Sequence, residues 1–97
     1  MPIPKKKLKE ARQPLRDRIL KFLARNPEMA YSVLEIVQAV EGYEKDDFVV
    51  MIGRMDDFAV DELVGPVLQE LEALLREGKI TSAVYQANEY YAIELPA

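Results

Sequence analysis

Cysteine and histidine are both missing from this 97-residue chain. Without cysteine there is no disulfide, no thiolate metal site and no cysteine nucleophile. Without histidine the commonest general base and the commonest zinc ligand are gone as well. No apolar run reaches the length of a membrane span. The basic start is not followed by the apolar stretch of a secretory signal. No nucleophile–base pair, phosphate-binding glycine loop or cofactor fingerprint occurs. The expectation is a non-enzymatic cytoplasmic protein without cofactor or metal, in contact with no membrane.

Hydrophobic residues make up 49% of the chain, enough for one domain with a single core. The net charge of −4 conceals a division. Residues 1–25 hold nine Lys and Arg against Glu10 and Asp17, a local charge of +7. Residues 26–97 hold four basic groups against fifteen acidic ones, a local charge of −11. Such asymmetry describes a basic arm, residues 1–13, on an acidic body, residues 14–97. The arm suits phosphates, an acidic protein surface or the body of a second copy.

Pro14 suits the first turn of a helix, followed by the stripe Leu15, Ile19, Leu20, Phe22 and Leu23. Asn26-Pro27 ends it. Met29-Ala30-Tyr31 reads as a short strand. Ser32 and Glu35 form a capping box for a second helix, Val33 to Glu41, which Gly42 stops. The segment 43–60 is longer than a helix–helix turn needs. Phe48, Met51, Ile52, Met55, Phe58 and Ala59 fall at helical spacing there, which predicts an added helix over 46–55. Asp46-Asp47-Phe48 is echoed by Asp56-Asp57-Phe58, consistent with two segment starts. A third core helix is predicted from Asp61, a good N-cap, with irregularity near Pro66, the alternative being a start at Gly65-Pro66 with proline at the first helical position. Val64, Val67, Leu68, Leu71, Leu74 and Leu75 give its buried stripe, closed by Glu77 and Gly78. Two strands follow, from Ile80 and from Tyr90-Tyr91, around the polar turn Gln86-Ala87-Asn88-Glu89.

The pattern Val64-x-x-Val67-Leu68-x-x-Leu71-x-x-Leu74-Leu75-x-x-Gly78-x-Ile80 resembles the recognition helix of winged helix-turn-helix domains as it passes into the wing. Tyr90-Tyr91-Ala92-Ile93 is similar to the returning wing strand. The resemblance covers roughly residues 14–95 and implies an α+β fold. In it, three core helices are joined by an added helix at 43–60 and a C-terminal β-hairpin. It implies a small dimeric transcription regulator of prokaryotic type that binds double-stranded DNA.

Mapped onto this chain, the groove-facing positions are Glu62, Gly65, Pro66, Gln69 and Ala73, of which Gln69 suits adenine. Lys5, Lys6, Lys7, Lys9, Arg12 and Arg16 would supply most of the phosphate attraction, with Arg76 and Lys79 near the helix end. Glu62, Glu70 and Glu72 oppose it, and the wing tip lacks the usual Arg or Lys. These departures favour an alternative reading, a winged-helix module that binds protein and not DNA. Phe48, Met51, Met55 and Phe58 either close the domain's own core or form a homodimer interface. The acidic residues between 46 and 62 do not have calcium-loop spacing and read as helix caps and a solvated face.

Overall fold

The computed structural model describes residues 2–5 and 14–94. Among these it has four helices and one three-stranded antiparallel sheet, an α+β arrangement. Helix α1 spans Leu15–Arg25 and strand β1 spans Tyr31–Ser32. Helices α2, α3 and α4 span Val33–Glu41, Lys45–Arg54 and Asp57–Arg76. Strands β2 and β3 span Ile80–Tyr85 and Asn88–Ile93.

Local chemistry explains most of the boundaries. At the start of α2 the Glu35 amide donates to Ser32 Oγ at 3.4 Å, while the Ser32 amide donates to Glu35 Oε1 at 3.0 Å. Each side chain thus satisfies an amide that the first helical turn leaves without a partner. At the other end Gly42 takes φ of +77°, and the Tyr43 amide reaches back to the Gln38 carbonyl at 3.0 Å. This left-handed closure is open to glycine at no steric cost. Gly78, with φ of +72°, plays the same part after α4 and turns the chain into β2.

Helix α4 begins earlier than the sequence predicts. Asp56, not Asp61, is its N-cap, accepting the Ala59 amide at 2.8 Å. The helix then runs without a break through Pro66 to Arg76. Interior proline costs about 3 kcal/mol. Continuity persists because Val60, Leu63 and Val64 pack against the core before the proline, and Val67, Leu71 and Leu74 after it. Phe58 and Ala59 therefore belong to α4 and not to the added helix.

The hairpin is also tighter than the sequence suggests. Asn88 and Glu89 are already in β3, so the turn is Gln86-Ala87 alone, with φ of 49° and 68°. A two-residue turn with both φ values positive has the twist that antiparallel strands require, although glycine or asparagine usually supplies it. Strand order is β1-β3-β2, with Tyr31 opposite Tyr91 and Ile80 opposite Ile93.

The core gathers every element but the hairpin tip. Ile19, Leu23, Ile36, Val37, Val67, Leu71 and Leu74 are essentially inaccessible, joined by Phe48, Val64, Ile80 and Tyr91. Full burial of such a side chain contributes about 1.5–3 kcal/mol. Arg18 crosses from α1 to donate from Nη1 to the Val40 carbonyl at 2.9 Å, placing a cation at the negative end of α2.

Candidate interaction surface

Two surfaces differ in chemical character: the outer side of α4 with the hairpin, and the α2–α3 side. On α4, Glu62, Pro66, Gln69, Glu72 and Arg76 are exposed, and Gly65, Glu70 and Ala73 are half-buried. Arg76 is the only cation of that helix. Residues 80–94 contain no Lys or Arg at all, and the exposed tip Gln86-Ala87 is neutral. At the ordinary spacing of phosphates, this surface offers repulsion from the glutamates and little to offset it.

Two basic residues of α1, Arg16 and Arg18, are engaged by groups of the molecule itself; Lys21 and Arg25 are exposed. Arg16 makes a forked contact with Glu77, Nη1 to Oε2 at 2.6 Å and Nη2 to Oε1. The pair ties the start of α1 to the end of α4. Its hydrogen bonds to Glu77 raise the Arg16 pKa, and those same bonds hold the Glu77 carboxyl below its ordinary range. A depressed carboxylate pKa stabilises the fold above the unfolded-state value, and that contribution is lost as pH falls through the folded-state value. Lys79 Nζ lies 3.9 Å from the same Glu77 carboxylate. Lys5 is exposed, and Lys6, Lys7, Lys9 and Arg12 lie outside the described residues.

The four residues considered for an oligomer interface separate. Phe48 is buried in the chain's own core at 5% exposure, with its ring 5.4 Å from that of Tyr43. Met51 and Met55 are half-buried. Phe58 alone stands out, at 70% exposure.

A second apolar feature joins residues that helical spacing singles out, Phe22, Phe48 and Ile52, to others that it does not, Val49 among them. Between α2 and α3 lies a groove of about 610 Å³. Phe22, Tyr31 and Phe48 line it, the first two with ring centroids 4.6 Å apart. Leu34, Ala39, Val49 and Ile52 complete the apolar lining, with Glu35, Gln38 and Lys45 as its polar members. Val49 is 64% exposed and its neighbour Val50 53%. A signal for this was present: Phe48-Val49-Val50-Met51-Ile52 is apolar all round a helix, and a helix with one buried face leaves part of such a run uncovered.

Among the described residues no group of three or more acidic side chains is arranged to hold a metal ion. Among them, too, no helix is long and apolar enough to cross a membrane. No family model, curated protein or solved structure matches the chain.

Proposed function

We propose that this chain is a winged-helix-like module that binds a protein partner through the α2–α3 groove. The order helix, strand, helix, helix, helix, hairpin and the β1-β3-β2 sheet support the winged-helix comparison. In this reading α4 is the recognition-helix equivalent and α3 the added helix.

The observation that carries the partner class is electrostatic. The α4 and hairpin surface, where a DNA reader of this shape would meet phosphates, is acidic on the helix and uncharged at the tip. An exposed apolar surface also lies along α3, where Val49 lines the groove beside the exposed Val50, apart from Phe58 on α4 and Val84 and Tyr85 on the hairpin. Exposed apolar patches of this kind serve protein contacts. Glu35 and Lys45, the charged residues of the groove lining, offset one another, so the favoured partner segment is apolar.

A second reading has its own support. Five of the thirteen Lys and Arg lie in residues 1–13, so a DNA-binding regulator working through the basic arm keeps its electrostatic basis. Fluorescence anisotropy of mixed-sequence duplex DNA at low and moderate salt separates the two. The protein-module reading expects that Gln69→Ala and Arg76→Ala leave any duplex affinity unchanged. It also expects no duplex binding at moderate salt, whereas binding there that disappears when Lys5, Lys6, Lys7 and Lys9 are replaced by glutamate would establish the second reading. Loss of affinity in the two α4 variants would instead make α4 a DNA-reading helix and overturn the proposal.

A further inference from the structure

The sheet ends on an unusual edge. Its order β1-β3-β2 leaves the far side of β2 unpaired among the described residues. Exposed edges are templates for pairing, and proteins generally blunt them with lysine, proline or a bulge. Strand β2, Ile80-Thr81-Ser82-Ala83-Val84-Tyr85, has none of these and no charged residue, in a chain that is 31% charged.

The register determines which backbone groups face outward. The two-residue turn makes Tyr85 and Asn88 a hydrogen-bonded pair, and alternation extends this to Ala83–Tyr90 and Thr81–Ala92. The Glu94 amide donating to the Lys79 carbonyl at 3.1 Å fits the same alternation. Ile80, Ser82 and Val84 therefore direct their N–H and C=O groups away from β3. Ile80 is covered, at 3% exposure, so Ser82 and Val84 form the usable edge.

We propose that two copies of this chain pair edge to edge through β2. The strands run antiparallel, with Ala83 facing Ala83 of the second copy across a two-fold axis. Ser82 of each copy then exchanges backbone hydrogen bonds with Val84 of the other, and all four outward groups find partners. A two-fold contact sets a patch against itself, so charged patches repel their own copy. That requirement favours β2 over the acidic helices of this body. The hairpin carboxylate Glu89 is on β3 opposite Val84, one strand removed from the contact. Val84 at 72% exposure and Tyr85 at 65% flank the axis and lose apolar surface on pairing. The contact is short, at the small end of protein interfaces, so self-association is expected at high protein concentration. It stands whichever reading of the function holds.

Because the chain contains no cysteine, a single introduced one is a clean probe. Facing residues in a non-hydrogen-bonded antiparallel pair have Cα atoms about 4.5 Å apart, within the disulfide range. In this register the Thr81 positions of the two copies are more than about 13 Å apart. Full-length Ala83→Cys should form a disulfide-linked dimer under mild oxidation, and Thr81→Cys should remain largely monomeric. Sedimentation of the unmodified chain should show mass rising toward twice the monomer with concentration. Ser82→Pro, which removes an edge N–H without touching the β3 ladder, should abolish that rise while keeping the circular dichroism. Equal cross-linking at both cysteine positions, or a monomer at every concentration, would overturn the proposal.

Discussion

Asp46-Asp47-Phe48 and Asp56-Asp57-Phe58 are the same tripeptide at the starts of two successive helices, yet Phe48 is 5% exposed and Phe58 70%. Position relative to the cap differs. In α3 the cap is Glu44, which accepts the Asp47 amide at 3.0 Å, so Phe48 comes four residues after it. In α4 the cap is Asp56 itself, and Phe58 comes two residues after it. Two residues rotate a side chain by about 200° around a helix. Identical local sequence therefore delivers one phenylalanine to the core and the other to solvent. The residue that caps the helix decides which.

The comparison can be broken by substitution. Phe48→Ala should be the most damaging, a loss of about 3–5 kcal/mol in urea unfolding, because a large ring leaves a cavity under α3. A loss below about 1 kcal/mol would mean that α3 is not anchored there. Asp56→Ala should cost about 1 kcal/mol through the uncapped Ala59 amide, seen as a lower urea midpoint with unchanged slope. Phe58→Ala should fall within about 0.5 kcal/mol of the parent. A larger cost for Phe58 than for Asp56 would contradict the exposure that separates the two phenylalanines.

What the sequence made legible followed the same line. Val33–Glu41 is predicted to the residue because Ser32, Glu35 and Gly42 act on amides and carbonyls within a few positions of themselves. Gly78 likewise marks the passage from α4 to β2. The start of α4 was not legible, since Asp56 and Asp61 are equivalent as caps. Choosing between them requires knowing that Val60 and Leu63 find the core. The Arg16–Glu77 pair is not legible for a similar reason, because Glu77 lies 61 positions away in sequence. The α2–α3 groove depends on two helices meeting across the molecule, and only the surplus of apolar residues at 48–52 hinted at it. Local chemistry could be read off the chain, and long-range pairing could not.

Pro66, in the middle of α4, has a consequence for how the molecule comes apart. Its nitrogen has no hydrogen for the Glu62 carbonyl, so the ladder of α4 is interrupted between its two halves. The C-terminal half is fastened by Val67, Leu71 and Leu74, all essentially inaccessible. The N-terminal half relies on Val64 and on the half-buried Val60 and Leu63, and it is joined to α3 by only Met55 and Asp56. Cooperative opening tends to divide at such seams, where backbone coupling is weakest and packing thins. The first half of α4 is thus the weaker half of that helix, while Phe48, with Met51 and Ile52 packed beside it, holds α3 and the Val49 wall of the groove against the core.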